Sequence, residues 1–136
     1  MTRCVNWAQL LSAYLLERKA QPFAWVKNDC CTFAAGAVVA MTGRDPMAPL
    51  RGKYKTRAGA GKLLARAGNL QALASQYLGS PLATPALAMR GDVVLFDMGG
   101  PHGQALGICT GTHFAAPGPE RTELVPMCAA VTAWRV

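Results

Sequence analysis

The residue best placed by its neighbours to do chemistry is Cys30, which follows Asp29 at the predicted start of an apolar helix. A thiol at a helix N-terminus lies near the positive end of the helix dipole and near unpaired backbone N–H groups, and both favour the thiolate. Cysteine hydrolases use such a thiolate as nucleophile and a histidine as general base. Because cysteine is also among the most buried residue types, a simple packing role is the alternative.

Two histidines could serve as that base. His102 lies in the glycine-rich segment 99–103, whose turn could bring it back toward Cys30, and we take Cys30 and His102 as the candidate catalytic residues. His113 opens a predicted strand and shares a face with Ala115, so it is a second candidate if that face looks at Cys30. For both histidines the alternative is an ordinary turn or surface position.

The cysteine pattern does not favour a metal site or a disulfide framework. The chain has five cysteines, an odd number, and no C-x-x-C pair. Cys30 and Cys31 could be combined with Cys109, Cys128 and His102 as ligands, but adjacent helical residues point about 100° apart. We therefore expect reduced thiols, no metal and no cofactor, in a cytoplasmic or virus-assembly setting.

The net charge of +7 is concentrated in one region, which we call the basic segment. It comprises Arg51, Lys53, Lys55, Arg57, Lys62 and Arg66. Tyr54 within it is typical of nucleic-acid surfaces, where cations meet phosphate and aromatic rings stack on bases. The simpler interpretation is a solvated basic face that docks on an acidic neighbour in an assembly.

Apolar periodicity and capping residues predict four helices, over 5–19, 29–42, 57–67 and 70–78. The second is apolar nearly all round, which predicts a buried central helix. Its longest apolar stretch, 33–41, is about half of the ~20 residues that a membrane span needs. The first twenty residues also lack the pattern of a secretory signal.

Short strands with glycine and proline turns follow the helices, over 93–96, 105–109, 113–116, 123–125 and 131–136. Helices followed by an antiparallel sheet predict an α+β fold, and 136 residues suit a single domain over 1–136.

Three segments resemble the NlpC-like, papain-fold cell-wall peptidases, in that family's order. Residues 25–31, Trp-Val-Lys-Asn-Asp-Cys-Cys, resemble the Trp-Gly-x-x-x-Asp-Cys-Ser start of its central helix. Residues 90–96 resemble its Gly-Asp-Leu-Val-Phe-Phe strand, and residues 106–111 resemble its Val-Gly-Ile-Tyr-x-Gly strand. The resemblance implies a papain-like fold, with N-terminal helices and a buried central helix packed on a C-terminal antiparallel sheet, and Cys30 as nucleophile.

The chain departs from those peptidases at the base. Ala105 stands where the family has a histidine, and the third polar residue would fall near Ala115 or Ala116. Loss of a general base removes a contribution that is typically 10²–10⁴-fold. The resemblance therefore implies a scaffold with degenerate catalysis, unless a displaced histidine replaces the missing one.

Residues 23–136 resemble more closely a group of short phage and prophage tail-module proteins of the same kind. The shared motifs are Asn-Asp-Cys-Cys at 28–31, Met-Thr-Gly-Arg-Asp-Pro at 41–46, Arg-Gly-x-Tyr at 51–54, Ala-Ala-Pro-Gly at 115–118 and Ala-Trp-Arg-Val at 133–136. This resemblance implies a virion protein or assembly factor at the tail tip, made in the host cytoplasm, whose partners are other tail-tip proteins.

Three functions follow as hypotheses. The first is a catalytically degenerate tail-tip or tail-assembly protein. The second is an active cysteine endopeptidase that cuts peptidoglycan peptides during phage entry, with Cys30 as nucleophile and His102 or His113 as base. The third is a basic nucleic-acid-binding module, whose affinity would fall steeply with salt.

Overall fold

The computed structural model of this chain describes residues 2–98 and 103–136, which form an α+β fold. The helices are α1 Trp7–Arg18, α2 Cys30–Thr42, α3 Arg57–Ala67 and α4 Leu70–Leu78. The strands are β1 Val93–Asp97, β2 Gln104–Cys109, β3 His113–Pro117, β4 Thr122–Pro126 and β5 Ala130–Trp134. The predicted order of helices first and strands second is confirmed. Within the described residues, no helix is both long enough and apolar enough to cross a bilayer.

The five strands form one antiparallel sheet in the order β4-β3-β2-β1-β5. The β1–β2 ladder extends over the whole of β1, from Val93 to Asp97. The β2–β3 ladder, in contrast, pairs Ile108 with Ala115 and Cys109 with Phe114. The first residues of β2 therefore lie where the ladder to β3 has ended, and that end of the sheet faces the N-terminus of α2.

Local signals fix both ends of α2. The Asp29 carboxylate accepts the Thr32 N–H, and the Thr32 hydroxyl accepts the Asp29 N–H, which is a reciprocal capping box. Gly43 ends the helix in the left-handed conformation, with φ 76°. As predicted from its composition, α2 is buried along most of its length.

The core surrounds α2 and joins it to one face of the sheet. Apolar side chains of α1, α2 and α4 pack there against residues of four strands: Leu11, Phe33, Val38, Leu70, Val93, Leu95, Leu106, Ile108, Ala115 and Trp134. A second, smaller cluster on the opposite face holds Val94, Cys109, Phe114 and Ala133. Both faces of the sheet are therefore apolar, and α2 is held between α1 and the sheet.

Asp92, just before β1, is fully buried and joins distant parts of the chain. Its carboxylate forms ion pairs with Arg3 and Arg135, both at 2.9 Å. It also accepts the backbone N–H groups of Met89 and Val136. The Gly-Asp motif before β1 thus has a structural role, because the Asp92 carboxylate links Arg3, which precedes α1, to Arg135, which follows β5.

Candidate functional site

The candidate site is built around Asp29, which is buried at the N-terminus of α2. Its Oδ1 atom accepts the Thr32 N–H at 2.8 Å. Its Oδ2 atom accepts the Val26 N–H at 2.9 Å and the Tyr54 hydroxyl at 2.5 Å. Three donors thus satisfy this carboxylate. They hold the backbone at the start of α2, where Cys30 is the first residue.

The loop before α2 is strained at Val26. This β-branched residue has a φ of 73°, in the left-handed region that such residues rarely adopt. An isolated bridge between Ala24 and Asn28 closes the loop, and the Val26 N–H donates to Asp29. A strain of this kind costs about 1–3 kcal/mol and persists where surrounding contacts determine the conformation. Here the strained loop places the Val26 N–H against Asp29, the residue that caps the first turn of α2.

Cys30 is half-buried, and its thiol has polar neighbours that favour the charged form. Its pKa is lowered, first because the Cys31 thiol donates a hydrogen bond to it, and further because the backbone N–H groups of Leu106 and Cys31 interact with it. Burial and the charge of Asp29 act in the opposite direction. The direction predicted from the helix end is thus found, but its main cause is the neighbouring thiol.

Cys31 is the proton donor of this pair. Its sulfur lies 4.0 Å from that of Cys30. The pKa of Cys31 is raised, chiefly because it donates to Cys30 and because it is buried. When this pair of thiols loses one proton, Cys30 therefore becomes the thiolate and Cys31 stays protonated. Sequence reasoning missed this partner, since adjacent helical residues point apart.

The sheet meets Cys30 through the backbone of Leu106. The side chain of Leu106 packs in the core cluster around α2. Because side chains alternate along a strand, Ala105 points to the opposite face of β2, where its β1 partner is Phe96. The group that β2 offers to Cys30 is thus a peptide N–H.

The structure separates His113 from the site. His113 is exposed, its ring nitrogen Nδ1 is 2.9 Å from the Thr112 hydroxyl, and its carbonyl accepts the Thr110 N–H. Thr110 is four residues beyond Leu106, which is about 13 Å along an extended chain. His113 is therefore too far from Cys30 to act as its base. The other candidate, His102, lies outside the described residues.

Tyr54 anchors the basic segment to the site. It is buried, and its pKa is raised by that burial and by its hydrogen bond to Asp29. Tyr54 is therefore not free to stack on a base, as the nucleic-acid interpretation requires. Lys53 and Lys55, on either side of it, are exposed. Sequence reasoning singled out Tyr54 but assigned it to the surface, since nothing local signals its contact with Asp29.

The described residues contain no group of three His, Cys, Asp or Glu side chains arranged to hold a metal ion. All five cysteines are among these residues, and all are free thiols. The chemistry that the arrangement can support is thus that of a thiolate at a helix end, beside two backbone N–H groups.

Comparison with known proteins gives a family match. Residues 2–136 match the family model described as a domain of unknown function, DUF6950. A search of curated proteins gives no match.

Proposed function

The chain belongs to the DUF6950 family, and we propose that it is a tail-tip or tail-assembly protein of a phage, built on an NlpC-like, papain-type scaffold with degenerate catalysis. The observation that carries the proposal is the meeting of a capped, buried helix with an antiparallel sheet at Cys30. Four of the five motifs that resemble phage tail modules overlap these elements, at the two ends of α2 and on β3 and β5. The fifth, at 51–54, contains Tyr54, which donates to Asp29.

Two features support degenerate catalysis. The residue aligned with the family's histidine is Ala105, which points away from α2. The one histidine among residues 2–98 and 103–136 is His113, about 13 Å along the sheet from Leu106. A thiolate without a base can still attack an activated acyl group, but it lacks the proton transfer that peptide hydrolysis needs.

Exposed side chains near the site support a role in protein assembly. Phe23 and Trp25 are 37% and 41% exposed and contact each other edge to face, with ring centroids 5.0 Å apart. Aromatic residues of this kind are enriched at protein interfaces. The exposed cations Lys53, Lys55 and Arg57 suit an acidic protein surface. Such a partner would be another tail-tip protein.

The proposal is tested in the phage or prophage whose genome encodes the chain. We expect deletion of its gene to give particles with incomplete tails, and complementation with either the wild type or Cys30→Ser to restore infectious particles. Mass spectrometry of purified tails would separate a virion component from an assembly factor. Normal tails in the deletion strain would contradict the proposal.

The alternative of an active cysteine endopeptidase is favoured by one observation, the lowered pKa of Cys30 beside backbone N–H donors. Its test is turnover of peptidoglycan stem peptides by the purified chain. Turnover that is lost in both Cys30→Ser and His102→Ala would establish the enzyme and its base. A deletion strain rescued by wild type but not by Cys30→Ser would point the same way.

A further inference from the structure

An apolar cleft lies beside the candidate site, between α2, α4 and the turn Ala48–Leu50. Its cavity volume is about 50 Å³. Its lining is almost wholly apolar and includes Ala34, Met47, Leu50, Leu70, Leu73 and Ala74. Apolar clefts with few polar groups are typical of ligand sites. The charged stem peptides of peptidoglycan do not suit such a lining.

The cleft reaches Cys31, the neighbour of Cys30. Cys31 and Leu106 both line it. The Cys31 sulfur is 4.0 Å from the Cys30 sulfur, and the Leu106 N–H interacts with the Cys30 thiol. A group seated in the cleft therefore lies against Cys31, one sulfur–sulfur distance from the Cys30 thiol.

Exposed cations lie next to the cleft, because Tyr54 packs against Ala35 and Met47, which both line it. Leu50 in the cleft wall is followed directly by the basic segment, and the Tyr54–Asp29 hydrogen bond holds that segment at the start of α2. Lys53 and Lys55 flank Tyr54 and are exposed. An apolar cleft with a cationic rim is complementary to a molecule with an apolar chain and an anionic head.

We propose that the cleft binds a short apolar acyl group, which an anionic acyl thioester of the acyl-CoA class delivers to the sulfur of Cys30. The Cys30 thiolate attacks the thioester carbonyl carbon, and a new carbon–sulfur bond forms as the bond to the donor sulfur breaks. The donor leaves as a thiolate and takes a proton from solvent. Atoms and electrons balance without any oxidant or metal. This site does not depend on a role in tail assembly.

The test is acyl transfer to the full-length, reduced chain, followed by intact mass and peptide mapping. The donors are acetyl-CoA, butyryl-CoA and the uncharged butyryl thioester of N-acetylcysteamine. We expect a hydroxylamine-sensitive adduct on Cys30 that forms about tenfold faster from butyryl-CoA than from acetyl-CoA, because two more methylenes are buried. The advantage of butyryl-CoA over the uncharged thioester should shrink as salt is raised.

Matched variants locate the acyl chain. Ala74→Leu narrows the cleft and should bring the butyryl-to-acetyl rate ratio close to one. Ala72→Leu makes the same change on α4 at a residue that does not line the cleft, and should keep the wild-type ratio. Lys53→Gln with Lys55→Gln should slow the reaction with butyryl-CoA much more than with the uncharged thioester.

Three results would overturn the proposal. The first is labelling of Cys30 at equal rates by acetyl and butyryl donors. The second is labelling that favours the exposed thiols Cys4 and Cys128. The third is the same rate ratio in Ala74→Leu as in the wild type. Each of these outcomes is independent of whether the deletion strain makes normal tails, so this proposal and the assembly role can fail separately.

Discussion

Cys30 and Cys31 are neighbours with opposite acid–base behaviour, and each causes that of the other. The Cys31 thiol donates to Cys30, which lowers the pKa of Cys30 and raises that of Cys31. A lowered pKa means that the thiolate persists at a lower pH than in an ordinary cysteine, whose pKa is about 8.5. The reactivity of Cys30 should accordingly level off at a lower pH.

The first prediction concerns this donor. In Cys31→Ala the hydrogen bond is lost, so the pKa of Cys30 should rise and its alkylation by iodoacetamide at pH 7 should slow several-fold. In Cys31→Ser a hydroxyl remains as donor, and most of the reactivity should remain. Peptide mass spectrometry over a pH series measures both, with Cys4 and Cys128 as internal references. An unchanged pH profile in Cys31→Ala would exclude the shared proton.

The second prediction concerns Tyr54 as a positioning residue. In Tyr54→Phe the Asp29 carboxylate loses one of its three donors, so its negative charge acts more strongly on Cys30. The alkylation profile of Cys30 should move to higher pH, and the free energy of unfolding should fall by about 1.5–3 kcal/mol. Tyr77→Phe, on α4, is the control. A loss of stability without a change in the profile would leave Tyr54 a merely structural role.

At the residue scale, the sequence singled out Cys30 as a candidate nucleophile, because a helix start is readable from Asp29 and the apolar residues after it. It did not predict the donors at Cys31 and Leu106 or the contact of Tyr54 with Asp29. Those contacts depend on rotamers and on the approach of distant segments, and neither has a local signature.

Among the elements, α1 and α2 approach each other most closely where Tyr14 meets Phe33 and Gly36. The Tyr14 hydroxyl donates to the Phe33 carbonyl at 2.8 Å, and the Tyr14 ring covers Gly36. A Cβ atom at Gly36 would overlap the Tyr14 ring and its hydroxyl. Glycine there lets the two helices approach closely, which keeps the start of α2 at its place over the sheet.

The third prediction tests that contact. Gly36→Ala should lower the free energy of unfolding by about 1–3 kcal/mol, since the ring has to move. Gly61→Ala, in the exposed middle of α3 with open space around it, should instead raise it by up to ~1 kcal/mol. Urea unfolding measures both. Equal effects at the two glycines would show that helix propensity, and not packing, determines the result.

The bounds of the elements were largely predictable, because they depend on local chemistry. Thr56 and Asn69 cap α3 and α4, because their side chains accept the backbone N–H groups of Gly59 and Ala72. The order of the strands was not predictable, since β5 pairs with β1 across the sheet rather than with the preceding β4. The pairing of β5 with β1 depends on burying the apolar side chains of both strands in the same clusters.

At the scale of the whole molecule, the buried carboxylate of Asp92 links segments that are far apart in the sequence. It holds Arg3 from before α1, Arg135 from after β5, and two backbone N–H groups. The sequence placed Asp92 in a strand motif but gave no sign of its partners, which lie 89 and 43 positions away. The α+β class was predictable from the order of the elements. The ion pairs of Asp92 and the apolar cleft were not, because both form between segments that are distant in the sequence.

The fourth prediction follows from the burial of that carboxylate. Asp92→Asn should lower the free energy of unfolding by about 3–5 kcal/mol, because two guanidinium groups lose their buried counter-charge. Asp45→Asn removes an exposed pair with Arg51 and should cost less than ~1 kcal/mol. Urea titrations that give similar midpoints for the two variants would contradict a central role for Asp92.

The ion pairs of Asp92 with Arg3 and Arg135, here called the clasp, also determine how the molecule would respond to mechanical load. Arg3 and Arg135 grip the same carboxylate, so traction applied near the two ends would reach this clasp first. The strands and the start of α2 would stay unloaded until it gave way. In an optical trap the clasp should therefore open as a separate early event, and Asp92→Asn should abolish that event.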